Sequence, residues 1–271
     1  MMPVKKLALC AASLLCLAAL GAYGGPREDL VRKVLDVTGV ERQFGDASDA
    51  ISALYGQQES SIDPKYYRAV LDVVARQFGE TAFVDYIEED IESEYDEASL
   101  RRILADYEAP LFQTITRREI ETKEGDMQAR LPGFDYSKVD PERDRIFSKY
   151  IVDADIVGMS EQLAVESLKA FFTTYNLLMP KERKLPDGAL EGIYEQARAS
   201  LRSEESVSGI KKRLAITYEP FSNEELSSYF AFYSSPEGAW LCRRLTDGVS
   251  KAFQKCLSNA AQELLGILKD A

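Results

Sequence analysis

Apolar positions along this chain recur at helical rather than strand spacing. Residues 30–44 carry Val31, Val34, Leu35 and Val40 and predict a helix that pauses at Thr38-Gly39, and residues 47–55 predict a second helical piece. Asp63-Pro64 reads as a cap followed by proline at the first helical position. It opens a helix with Tyr67, Val70, Leu71, Val74 and Phe78 on one face. Residues 83–91 continue as helix. In the second half, Ser160 is expected to cap a helix whose buried side holds Leu163 or Ala164, Leu168, Phe171, Phe172 and Tyr175. Residues 179–188 contain Pro180, Pro186 and Gly188 and read as a loop. Residues 190–201 and 207–216 follow as helices, although 214–218 also fits a short strand. A terminal helix carries Val249, Ala252, Phe253, Cys256, Leu257, Ala260, Leu264 and Leu268 on one face. Strand signals are otherwise scarce, so the expected class is all-α.

The most informative stretch is 221–238, FSNEELSSYFAFYSSPEG. Ser222 with Glu225 forms a capping box, and Phe221 with Leu226 a hydrophobic staple. Leu226, Tyr229, Phe230 and Tyr233 make one apolar stripe. Ser235-Pro236 then starts a second helix, and Gly238 in its first turn lets another backbone approach closely. Residues 95–112 repeat this pattern 126 positions earlier: Leu100 matches Leu226, Ala105 matches Ala231, Tyr107 matches Tyr233, Pro110 matches Pro236, and Arg117-Arg118 matches Arg243-Arg244. Tyr95, Asp96 and Leu100 keep the staple and cap in kind. The expected architecture is two related helix–corner–helix modules in tandem, packed as small bundles. Module one covers residues 23–121 and module two 146–271. Between them, residues 122–145 are charged and rich in glycine and proline, a linker or long connection.

Residues 1–22 read as a signal peptide, with Lys5 and Lys6 before the apolar run 7–20 and small residues after it. The run is short for a membrane span, which needs about 20 apolar residues. Cleavage near Ala22 or Tyr23 places the mature chain in the periplasm or outside the cell, with no stable membrane span. Removing both lysines leaves a net charge of about −14 and argues against nucleic acid as a partner. Cys242 and Cys256 remain in the mature chain. A disulfide between them requires Thr246-Asp247-Gly248 to break the terminal helix; otherwise they are buried or half-buried thiols.

The chain has no histidine, which excludes Ser-His-Asp and Cys-His machinery and the usual zinc ligand. No Gly-rich phosphate loop occurs. Ser208-Gly209-Ile210-Lys211 has the spacing of a serine one turn before a lysine base, without the other elements such an enzyme needs. Asp153-Ala154-Asp155 with Gly158 imitates half of a calcium loop, but Val157 and Ala164 stand where oxygen ligands belong. The acidic run 88–97 reads as a solvated helix face leading into a helix N-terminus. No catalytic, metal or cofactor residue is indicated. Rings around the corner exceed what one stripe can bury, so Phe232, Tyr233, Pro236 and Trp240 are the candidate interaction surface.

Phe221-Ser222, Glu225-Leu226, Phe232-Tyr233, Ser235-Pro236 and Gly238 resemble the signature of the exported bacterial family called "domain of unknown function 2059". The earlier stretch departs from it at Asp106, Ala109 and Phe112. The resemblance implies a small helical domain of the cell envelope and carries no catalytic residues. The expected role is binding an envelope protein. The rival expectations are a carboxylate-based enzyme or divalent-ion binder, and a carrier of an apolar ligand.

Overall fold

The computed structural model describes residues 25–40, 51–53, 55–56, 62–124 and 127–269. Every regular element among them is helical, so the fold is all-α. In chain order the helices of nine or more residues are α1 (Pro26–Val37), α2 (Pro64–Gln77), α3 (Glu80–Ser93), α4 (Glu97–Tyr107), α5 (Pro110–Glu124) and α6 (Pro141–Asp153). They continue as α7 (Ile156–Leu178), α8 (Asp187–Leu201), α9 (Glu204–Thr217), α10 (Asn223–Ala231) and α11 (Pro236–Lys269). Residues 1–22, read as a signal, lie outside the described residues, as does most of the expected piece at 47–55.

Local chemistry sets most helix starts. The Asp63 carboxylate accepts from the Lys65 N–H at 2.9 Å, with Pro64 at the first helical position. Asp96 accepts from the Ala98 and Ser99 N–H groups at 3.0 and 3.2 Å. The Ser222–Glu225 capping box is closed in both directions, at 2.8 and 3.2 Å. The expected pause at Thr38-Gly39 is present: α1 stops at Val37, the chain turns through Thr38 and Gly39 (φ 71°), and Val40 is helical again. Ser160 is not a cap. Helix α7 begins one turn earlier at Ile156, behind Asp155 in a left-handed conformation (φ 48°), and the Ser160 hydroxyl donates to the Ile156 carbonyl at 2.7 Å. The strand alternative at 214–218 is also replaced by helix, since α9 runs to Thr217.

Helix α11 organises the molecule. It runs 34 residues without a break at Thr246-Asp247-Gly248, about 51 Å at 1.5 Å per residue. Cys242 and Cys256 are therefore free thiols on one continuous helix. Helix α11 packs against α2, α3 and α4 from the N-terminal half and against α7 from its own. Gly248 makes the α3 crossing close: a Cβ there would stand 3.3 Å from the Ile87 Cα. Beside it the Phe253 ring meets Phe83 edge-on at 4.9 Å and Phe78 at 6.0 Å.

The same crossing corrects the expectation for residues 88–97. The Asp90 side chain is fully buried and pairs with Lys251, with the Arg244 guanidinium 3.8 Å away. Glu89 pairs with Lys255, and Glu88 accepts from Arg32 of α1 at 2.7 Å. Part of the acidic run is thus a ladder that α1 and α11 grip. A solvated face does not distinguish itself from such a ladder by composition, because the cations arrive from more than 50 residues away.

The opposite exchange occurs at α5. Arg118 donates to the Thr217 carbonyl at 3.0 Å, holding α5 on the C-terminal end of α9. Helix α11 of the C-terminal half therefore lies on α3, and α5 of the N-terminal half lies on α9. Buried side chains from residues 30 to 264 form one contiguous cluster. The connection at 122–145 packs onto it through Phe134, Tyr136 and Val139, with the Tyr136 hydroxyl donating to Asp144 at 2.7 Å.

Candidate functional site

The corner at 231–238 is built by a short 3-10 turn, Phe232–Ser234, between α10 and α11. The Ser235 hydroxyl donates to the Phe232 carbonyl at 2.6 Å and accepts from the Gly238 N–H at 3.0 Å. The chain doubles back so tightly that a Cβ on Gly238 would stand 2.1 Å from the Phe232 carbonyl oxygen. Only glycine allows that approach.

The four residues expected to form an interaction surface divide. Phe232 is 5% exposed, and the Tyr233 ring packs against Tyr150, Tyr229 and Phe232. Pro236 is exposed, and Trp240 is half-buried against the core. Phe232 and Tyr233 are thus chiefly packing residues. What accounts for the excess of rings is the other corner: Phe112 inserts between Tyr107 at 5.4 Å, Tyr229 at 4.9 Å and Phe232 at 5.9 Å. Tyr107 and Tyr233, matched in sequence, face each other with hydroxyls 3.2 Å apart.

Beneath these rings lies Glu119 of α5. Its Oε1 accepts the Tyr218 hydroxyl at 2.5 Å and the Tyr229 hydroxyl at 3.0 Å, and the Tyr229 hydroxyl is in turn 3.2 Å from that of Tyr233. Burial raises the Glu119 carboxyl to about 6, against the two hydroxyl donors that favour its charge. Burial likewise pushes Tyr107, Tyr150, Tyr218, Tyr229 and Tyr233 above the ordinary phenol range. It raises Cys242 to about 11 and Cys256 to about 12, so neither thiol is a nucleophile near neutrality. Sequence reasoning passed over Glu119. The signal was present, since Phe112, Ile115, Glu119 and Thr122 share one face of α5 and Glu119 is the acid on it.

An open groove of about 420 Å³ separates the two corners, walled by Phe112 and Phe232 and edged by Arg102, Asp106, Ser228 and Glu237. Arg102 of α4 pairs with Glu237 of α11 across it and holds the Glu237 carboxyl low. Asp106 is raised, by burial first and then by the charge of Glu237. A second groove of about 630 Å³ follows the connection past Phe134, Lys138, Arg143 and Asn223. Its polar groups already serve one another: Arg143 donates to Asn223 at 2.9 Å, and Asn223 to Asp140 at 2.7 Å.

The other sequence candidates are engaged elsewhere. Lys211 pairs with Asp144 at 2.7 Å rather than serving Ser208, which is exposed. Asp153 is bound by Lys149 and accepts from Ser234 at 2.5 Å. No group of three or more potential metal-ligating side chains occurs among the described residues. No described helix is long and apolar enough to cross a membrane. Compared with models of known protein families, with curated proteins and with solved structures, the chain matches none of them.

Proposed function

We propose that this chain is an exported binding protein of the bacterial cell envelope, built from two related helical modules and acting without chemistry of its own. Export rests on the apolar run and small residues of 1–22, and the family affinity on the residues of the 221–238 corner. The observation that carries the binding reading is the 420 Å³ groove between the corners, where an aromatic floor meets a charged edge. That combination suits an apolar side chain of a partner protein flanked by polar residues.

Ala105 and Ser228 line the groove and are exposed, so filling it does not disturb the core. A photo-crosslinker at Ser228 in intact envelopes is expected to capture a defined partner, and Ala105→Trp is expected to abolish that capture while leaving thermal unfolding unchanged. Equal capture by the Ala105→Trp chain removes the groove from consideration. Edman sequencing of the exported chain is expected to begin at Ala22 or Tyr23.

A second reading, a divalent-ion site, rests on Asp106 and Glu237 in the same groove. Two carboxylates sharing a site with Arg102 make a poor cation cage. Calorimetric titration with millimolar calcium is expected to show no heat beyond dilution, and a saturable signal lost in Asp106→Asn would favour the ion instead.

A further inference from the structure

The half-buried Glu119 carboxyl has neutral neighbours on five elements. Tyr218 from the end of α9 and Tyr229 from α10 donate to it, and Tyr107 of α4, Tyr150 of α6 and Tyr233 of the corner stand around those two. None of these is a cation, and no ion pair among the described residues reaches Glu119. Its neighbour Arg118 is committed to the carbonyl of Thr217. An ionised carboxylate here has two hydroxyl donors and no counter-charge, and that solvation is weaker than water provides.

The hydroxyls form a relay that crosses between the halves. With Tyr229 donating to Glu119, its oxygen is free to accept from Tyr233, and Tyr233 from Tyr107. The relay ends on the contact between Tyr107 and Tyr233, which joins the α4–α5 corner to the α10–α11 corner. Whatever changes the charge of Glu119 therefore acts on the seam between the two.

We propose that Glu119 is a pH-sensitive latch on this seam: neutral, it leaves the tyrosine contact closed, and ionised, it drives the contact to open to water. The folded carboxyl titrates above its ordinary value, near 6 instead of 4.5. The closed state binds more protons than an opened, hydrated one between those values. The closing preference is complete below about pH 4.5 and is lost as pH rises through about 6. The difference corresponds to an opening equilibrium about 30-fold larger at pH 7 than at pH 4.5.

Hydrogen exchange on the full chain tests this, with opening constants corrected for intrinsic rates and compared for peptides covering 107–119 and 226–234. Between pH 4.5 and 7, wild type is expected to gain about 30-fold more opening in these segments than Glu119→Gln does, with peptides from α8 alike in both. Tyr218→Phe, which removes a donor to the charged form, is expected to move the wild-type midpoint above pH 6. Identical pH profiles for wild type and Glu119→Gln overturn the latch. If Glu119→Gln does not fold, an unmoved midpoint in folded Tyr218→Phe overturns it equally.

Discussion

The two corners share a sequence pattern and solve the same turn differently. At 107–112 the chain leaves α4 through Glu108 and Ala109, enters α5 at Pro110, and places Phe112 two residues later. At 233–238 it leaves through a 3-10 turn, enters α11 at Pro236, and places Gly238 two residues later. The second corner folds its own carbonyl into the space above the helix start. The first instead sends a ring outward into the second. The difference teaches that the stretches diverge where Phe112 enters the rings of the second corner, while the matched pair Tyr107 and Tyr233 stays in contact across the seam.

The sharpest tests exchange these roles. Phe112→Ala removes a ring 9% exposed and packed on three others. It is expected to cost about 3–4 kcal/mol in urea unfolding. Gly238→Ala forces a methyl onto the Phe232 carbonyl and is expected to cost about 3 kcal/mol, since the obstacle is backbone and cannot rotate away. Were Gly238→Ala nearly neutral while Phe112→Ala remained costly, the corners would differ in packing alone.

The matched arginines give the next contrast. Arg244→Ala leaves Asp90 buried with Lys251 as its remaining cation, for an expected loss of about 2 kcal/mol. Arg118→Ala removes hydrogen bonds to the last carbonyls of α9, for about 1 kcal/mol. Equal losses would mean that burial of Asp90 does not separate the two ends. Smallest and most similar are the helix entrances, where Asp96→Ala and Ser222→Ala are each expected to lower stability by about 1 kcal/mol in chemical denaturation. A large inequality there would show that the entrances, too, have diverged.

Those entrances were legible because a cap and its partners lie within three residues of each other. Asp63, Asp96, Ser222 and Ser235 all act as their sequence context indicates. Ser160 misled because a serine one turn inside a helix has the same spacing to its neighbours as one that starts it. The true start depends on the left-handed backbone of Asp155, for which a non-glycine residue provides no signal. The exchange of α5 and α11 between halves was invisible for a different reason. It rests on pairs such as Asp90 with Lys251 and Glu119 with Tyr229, separated by more than 100 positions, that no periodicity relates. The candidate site divides the same way: the aromatic corner stood out locally, whereas Glu119 acquires meaning from Tyr218 and Tyr229, which arrive from the far half.

The length and placement of α11 also bear on the order in which the molecule can form. Chain emerging from a ribosome presents α2 and α3 long before Pro236 appears. Until then Phe78, Phe83, Ile87 and Asp90 lack the partners that α11 brings to them. The early segments remain incomplete folding units whose apolar face stays available to a chaperone. Completion waits on the last helix, so the core closes only after nearly the whole polypeptide has been made.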